Sequence, residues 1–93
     1  MTQPEPTLED RLRRLKFRAW HRGTREADYM IGCFFDTYHA NWGEVEIAWF
    51  EALLEEEDVD IMGWALGTLD VPDEFRGAQM DAFRKLDYVE IPR

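Results

Sequence analysis

Residues 27–38 have the sequence ADYMIGCFFDTY, in which apolar side chains recur every three or four positions. This spacing places them on one face of an α-helix. They are Ala27, Met30, Ile31, Phe34, Phe35 and Tyr38. We expect Gly23 or Thr24 to cap this helix and Phe34 and Phe35 to be buried. Cys33 lies within the same apolar run, which favours a buried, unreactive thiol over a nucleophile.

The segments on either side also have helical spacing. Upstream, Leu8, Leu12, Leu15 and Ala19 share one helical face, and Thr7 with Asp10 resembles an N-terminal capping box. Downstream, Asn41 and Glu44 predict the start of a third helix. Its core side is expected to carry Val45, Ala48, Trp49, Ala52 and Leu53, widened by Ile47, Phe50 and Leu54.

Two further helices complete the prediction. Asp58 is expected to cap a short helix, which contains Ile61–Leu66 and ends before Gly67 and Pro72. Residues 73 to about 87 are expected to form the last helix, with four buried side chains: Phe75, Ala82, Phe83 and Leu86. We expect Trp49 and Trp64 in the core, and Trp20 in either the core or an interface.

These segments predict an all-α fold, a small five-helix bundle in a single domain over residues 1–93. Its core covers about 7–87, and we expect the ends, 1–6 and 88–93, to be flexible. Strand patterns and hairpin turn signals are lacking in the sequence. With 45% apolar and 14% aromatic residues, the 93-residue chain can form a real core.

The charge excludes some classes of function. A net charge of −9 argues against a nucleic-acid binder, because phosphate contacts need Lys and Arg. The single cysteine argues against a disulfide framework. The sequence has no apolar run long enough for membrane insertion and no leader-like N-terminus, so we expect a cytoplasmic protein. We also expect it to be monomeric when free.

Catalytic and metal-binding patterns are weak in this sequence. It contains no serine, and its only imidazole and thiol groups, His21, Cys33 and His39, do not have the spacing of a metal site. Glycine-rich phosphate-binding loops are also missing. We therefore expect neither an enzyme nor a metal protein.

The basic residues are concentrated near the N-terminus. Residues 1–26 hold seven bases and four acids, a net charge of +3, whereas residues 27–93 hold four bases and sixteen acids, a net of −12. The basic segment ends in the sequence WHRGTRE, residues 20–26. Such a run is either a solvated helix face or a docking surface for an acidic partner.

Residues 20–26 combine three features of an interface anchor. Gly23 allows a close approach of another backbone, Arg22 and Arg25 offer planar donors, and Glu26 lies in the first turn of a helix. The alternative is a capped corner in which Glu26 pairs with an arginine of its own loop. The residues alone favour neither interpretation.

At these positions the sequence resembles the SdhE family of succinate dehydrogenase assembly factors. The family signature, Arg-Gly-x-x-Glu at the start of the second helix, is matched by Arg22, Gly23 and Glu26. The resemblance covers roughly residues 8–72. It also includes Trp20, Asp28, Phe34-Phe35-Asp36, Leu53-Leu54-Glu55, Glu57-Asp58-Val59-Asp60 and Gly63-Trp64. Thr24 and Ala27 replace bulkier apolar residues that are common in relatives.

The resemblance implies a five-helix bundle that binds the flavoprotein subunit of succinate dehydrogenase, or in some bacteria of fumarate reductase. It implies that such a protein promotes covalent FAD attachment to that subunit. FAD would be carried by the partner and not bound stably by this chain. The implied partner-binding residues are Trp20, Arg22, Gly23, Arg25, Glu26 and Asp28, with Arg22 and Glu26 making charged contacts.

Three other functions remain open from the sequence. An antitoxin-like regulatory module would bind its partner through the acidic helices rather than the basic corner. A small flavin-transfer enzyme would itself bind FAD and show flavin absorbance. A helical DNA-binding domain is disfavoured by the net charge.

Overall fold

Residues 5–89 are described by a computed structural model and form five α-helices. Their bounds are Leu8–Trp20 (α1), Arg25–Tyr38 (α2), Glu44–Leu54 (α3), Asp58–Leu66 (α4) and Ala78–Arg84 (α5). Two 3₁₀ turns, His39–Asn41 and Asp73–Phe75, lie in the connections. The described residues contain no strand, and the predicted all-α, five-helix fold is confirmed. Of the ends predicted to be flexible, 1–6 and 88–93, residues 1–4 and 90–93 lie outside the described residues.

The first two helices begin at the predicted caps. The Thr7 hydroxyl accepts a hydrogen bond from the Asp10 amide at 3.1 Å, while the Asp10 carboxylate accepts one from the Thr7 amide at 3.3 Å. These hydrogen bonds lower the pKa of Asp10. The Thr24 hydroxyl accepts from the Ala27 amide at 3.2 Å, so Thr24 rather than Gly23 caps α2. Both caps satisfy amides that have no partner within the helix.

The core is built around the aromatic side chains of α2. Phe34 and Phe35 are fully buried, as predicted, and Cys33 is buried beside them. The Phe34 ring lies within 6.4 Å, centroid to centroid, of six other aromatic rings. Such edge-on and tilted pairs stabilise the fold beyond what the burial of apolar surface alone contributes. Because α2 supplies the centre of the core, residues 22–26 at its N-terminal end adjoin a well-packed helix.

The predicted core face of α3 is wrong. Val45 is 75% exposed, whereas Ile47, Phe50 and Leu54, predicted only to widen the apolar face, are buried together with Leu53. The cause is that α3 is apolar nearly all round, so periodicity does not select a face.

Ion pairs to α1 show how α3 is oriented in the bundle. The Arg11 guanidinium donates to Glu44 at 2.6 Å and to Glu51 at 2.5 Å. Glu44 and Glu51 are seven residues apart and therefore lie on the same side of α3. The bonds from Arg11 lower the pKa of Glu51.

The starts of α3 and α4 are each shifted from the prediction. Asn41 belongs to the 3₁₀ turn that follows α2, and Gly43 precedes α3, with its amide donating to the Glu46 carboxylate at 2.8 Å. Asp58 is the first residue of α4 rather than its cap. Its carboxylate is engaged by Arg22 instead of by an α4 amide. Gly67, with φ +81°, ends α4 as predicted.

The C-terminal segment contains a break that was not predicted. A 3₁₀ turn that buries Phe75 is followed by Gly77, with φ +146°, and only then by α5. Arg76 is extended and the φ of Gly77 lies far outside the helical region, so the segment is not one continuous helix. Tyr88 was expected in a loose tail, but its ring is buried and its hydroxyl donates to the Phe83 carbonyl at 2.7 Å. Burial raises the pKa of Tyr88.

Two of the tryptophans differ in their burial. Trp64 is buried, as predicted. Trp49, also expected in the core, is half-buried, and its indole N–H donates to the Phe75 carbonyl at 3.2 Å. This bond attaches α3 to the turn before α5, and it explains why the ring is held at the edge of the core.

Candidate functional site

The candidate site is the corner between α1 and α2, which we call the signature loop (residues 20–28). α1 ends at Trp20 and α2 begins at Arg25, so only four residues make the connection. Gly23 has φ +114°, a conformation that favours glycine. A Cβ atom at Gly23 would meet no heavy atom within 4 Å. The space above this backbone is therefore open.

Arg22 fixes the signature loop to the junction of α3 and α4. Its Nε donates to Asp58 at 2.7 Å, and its two terminal nitrogens donate to the Leu54 carbonyl at 3.0 Å and the Glu56 carbonyl at 3.2 Å. The side chain is only 11% exposed. Its acceptors include carbonyls at the C-terminal end of α3, where cations are favoured. Arg22 thus links the loop to the junction of α3 and α4.

Asp28 fixes the same loop from the α2 side. Its carboxylate accepts a hydrogen bond from the Arg22 amide at 2.6 Å. The Thr24 cap lies between these two residues and ties the middle of the loop to α2. The loop backbone is therefore held on both sides of Gly23, which leaves little freedom in its shape.

Arg25 and Glu26 project from this fixed loop. Both side chains are exposed, and neither forms an ion pair with any residue from 5 to 89. Glu26 therefore does not make the internal pair with a loop arginine that the sequence left as an alternative. Two opposite charges, one residue apart, are available to a partner.

Trp20 forms one wall of the site. The ring is half-buried, with its edge toward Tyr29 at 6.0 Å between ring centroids. The indole also packs against Gly32, where an added Cβ atom would overlap the ring. Trp20 therefore serves both the α1–α2 packing and the exposed surface. The sequence analysis did not foresee the role of Gly32, although a glycine inside an apolar helix face is a signal of close packing.

An open groove of about 640 Å³ connects these residues. It is lined by Trp20, His21, Gly23, Thr24, Arg25, Asp28 and Tyr29. Of the predicted site residues, Trp20, Gly23, Arg25 and Asp28 line the groove. Glu26 is exposed beside it, and the Arg22 side chain points away toward Asp58. The open form suits a protein segment better than an enclosed small molecule.

Sequence reasoning missed the acceptors of Arg22. Asp58 was interpreted as a helix cap, and the carbonyls of Leu54 and Glu56 carry no signal in a sequence. Between residues 5 and 89, no three metal-ligating side chains come together, and no helix is long and apolar enough to cross a membrane.

Comparison with known proteins decides the family. A family model described as "Flavinator of succinate dehydrogenase", Sdh5, matches residues 13–87. The chain belongs to the Sdh5 family. The match includes the whole signature loop, its Arg22 acceptors at the α3–α4 junction, and α5.

Individual Sdh5-related proteins are similar to this chain. The FAD assembly factor SdhE of Acetobacter pasteurianus is 41% identical over 70 residues, covering 75% of this chain and 64% of the relative. The mitochondrial succinate dehydrogenase assembly factor 2 of Scheffersomyces stipitis is 31% identical over 77 residues, covering 80% of this chain and 52% of the relative. The chain thus spans half to just under two thirds of these two relatives. No solved structure matches it significantly.

Proposed function

We propose that this protein is an assembly factor that binds the flavoprotein subunit of succinate dehydrogenase and promotes covalent attachment of FAD to it. The observation that carries this proposal is the Sdh5 family match over residues 13–87. The relatives named as an FAD assembly factor and as succinate dehydrogenase assembly factors support it. The geometry of the signature loop is compatible with binding a protein surface.

In this proposal the signature loop is the part that contacts the flavoprotein. Open space above Gly23 admits a partner backbone, and the exposed Glu26 and Arg25 supply charged contacts. Arg22 acts as a positioning residue, because its guanidinium is bonded within the bundle. Its contribution is a loop of fixed shape, which reduces the entropy lost on binding.

The proposed role of the protein is conformational rather than catalytic. It stabilises a flavoprotein conformation in which the flavin and its attachment residue can react, by binding that conformation better than others. The bond is formed between the flavin and the flavoprotein, which carries the FAD. We further propose that the free protein is a monomer and acts in the cytoplasm.

The test is covalent flavin on the client. The flavoprotein subunit is expressed in cells lacking their own factor, with or without this protein, and covalent flavin is read by in-gel ultraviolet fluorescence. We expect fluorescence to depend on the protein, and we expect Gly23→Ala and Glu26→Gln to reduce it. Equal fluorescence with and without the wild-type protein would refute the proposed function.

Matched variants separate docking from stability. Gly77→Ala introduces the same kind of positive-φ strain with equally open surroundings, but far from the signature loop in sequence. Asp81→Asn removes an exposed acid from the first turn of α5, as Glu26→Gln does for α2. Both controls should keep flavin attachment near wild type. If Gly77→Ala and Gly23→Ala reduce it equally, the loss reflects strain and the loop is not the docking site.

A further inference from the structure

The outer face of α1 carries an exposed aromatic side chain that the bundle does not use. Phe17 is 63% exposed. Among the large apolar side chains that are exposed between residues 5 and 89, it is the only aromatic one. It is not a loosely held ring. It stacks on His21 with 4.1 Å between centroids and 17° between planes, and His21 Nδ1 donates to the Phe17 carbonyl at 2.6 Å. A fixed, exposed aromatic is typical of an interface anchor.

Two shallow grooves lie on either side of Phe17, and their exposed walls are almost entirely apolar. One, of about 500 Å³, is lined by Arg13, Lys16, Phe17, Trp20, His21 and Asp36. The other, of about 400 Å³, is lined by Arg13, Arg14, Phe17 and Arg18. We call the surface formed by these two grooves the α1 outer face.

The α1 outer face is basic at its rim. Arg14 and Lys16 are exposed and form no ion pair with residues 5–89, while Arg13 and Arg18 pair only with exposed acids. Asp36 is the only acid that lines either groove. An apolar centre with a basic rim complements a segment that carries an apolar side chain between acidic residues.

The α1 outer face is also continuous with the signature loop. Trp20 and His21 line both the groove of the loop and the larger groove beside Phe17. A partner seated on the loop would therefore lie next to the α1 outer face. This continuity points to the same partner for both surfaces.

We propose that the α1 outer face binds an acidic segment of the client flavoprotein, with an apolar side chain of that segment packed against Phe17. This inference rests on the proposed function and extends it, since it adds a second contact surface next to the signature loop. The basic rim attracts and orients the segment, and the Phe17–His21 stack supplies the apolar contact.

The test uses the full chain and the purified flavoprotein subunit, with Kd measured by calorimetry at low and high salt. We expect Phe17→Ala to raise Kd about tenfold or more, as for an aromatic anchor. The control Leu66→Ala, on α4 with 56% exposure, should leave Kd within about twofold. Because Phe17 is exposed, both variants should fold, which circular dichroism verifies.

A charge-reversal pair tests the basic rim. The double variant Arg14→Glu, Lys16→Glu should weaken binding to the flavoprotein. It should also remove most of the salt dependence of Kd, because less electrostatic attraction is left for salt to screen. The double variant Arg84→Glu, Lys85→Glu makes the same change of net charge at the C-terminal end of α5 and should alter Kd little. The two double variants therefore distinguish a local contact from the effect of overall charge.

Two kinds of outcome would overturn the inference. Client binding unchanged in both Phe17→Ala and the Arg14/Lys16 double variant would show that α1 is not part of the interface. Loss of self-association in sedimentation, or of binding to phosphatidylglycerol vesicles, with client binding intact would assign the face to a second copy or to a membrane. If the wild-type protein does not bind the flavoprotein at all, the proposed function itself fails, which is a separate result.

Discussion

Replacing Arg22 by methionine tests the internal role of the signature arginine. The change keeps an unbranched side chain but removes three hydrogen bonds, to Asp58 and to the carbonyls of Leu54 and Glu56. A bond to a charged partner contributes about 1.5–3 kcal/mol and a neutral acceptor about 0.5–1.5 kcal/mol. Asp58 is 26% exposed and can regain water, so we expect a total loss of about 2–4 kcal/mol.

Urea and thermal unfolding measure this loss. For a domain of this size, about 2–4 kcal/mol corresponds to a fall in Tm of roughly 10–25 °C. Arg25→Met is the matched control: the side chain is exposed and unpaired within residues 5–89, so its stability should stay within about 0.5 kcal/mol of wild type. Arg22→Lys should fall between them, since an ammonium group lacks the planar fork that reaches all three acceptors.

Amide hydrogen exchange gives a second readout that a general loss of stability would not reproduce. If Arg22 positions the loop, amides of residues 22–28 should exchange faster in Arg22→Met under conditions where the α2 core amides remain protected. The reasoning is refuted if Arg22→Met and Arg25→Met have equal stability, or if loop exchange is unchanged.

Two further predictions concern the bundle. Phe34→Ala should destabilise the protein by about 3–5 kcal/mol in urea unfolding, because Phe34 is fully buried among aromatic rings. The exposed Phe17 is the control, and Phe17→Ala should change the free energy of unfolding little. Equal effects of the two changes would contradict the assigned burial. Because folding lowers the pKa of Glu51, this group stabilises the protein at pH values above its ordinary pKa of 4.5. That stabilisation is lost as the pH falls below 4.5 toward the lower pKa of the folded state. Glu51→Gln should therefore flatten the decline of the urea midpoint between about pH 5 and pH 3, and an unchanged slope would refute the linkage.

Much of the fold could be predicted because local signals agreed with tertiary packing. The apolar repeat of α2 identified the central helix, and Thr7, Thr24 and Gly67 marked helix ends through side-chain and backbone chemistry that acts over a few residues. The α3 face could not be predicted in the same way. Because α3 is apolar nearly all round, its orientation depends on distant partners, which here include the Arg11 pairs to Glu44 and Glu51.

The candidate site shows a similar division. The position of the signature loop and its glycine follow from the sequence pattern, but the exposure of Glu26 and the direction of the Arg22 side chain do not. An arginine in a loop can point to a partner or to its own bundle, and only the position of Asp58, 36 residues along the chain, decides between them. The apolar contact of Trp20 with Gly32 is likewise visible only once α1 and α2 are packed.

The long separation between Arg22 and its acceptors has a consequence for how the protein matures. Residues 54–58 emerge from synthesis after the signature loop, so the loop lacks the anchor made by the Arg22 side chain until α3 and α4 are in place. A nascent or truncated chain that ends before α4 would hold the signature loop only through the Asp28 and Thr24 hydrogen bonds. Under the proposed function, a chain that lacks α4 should therefore bind the flavoprotein more weakly than the complete bundle does.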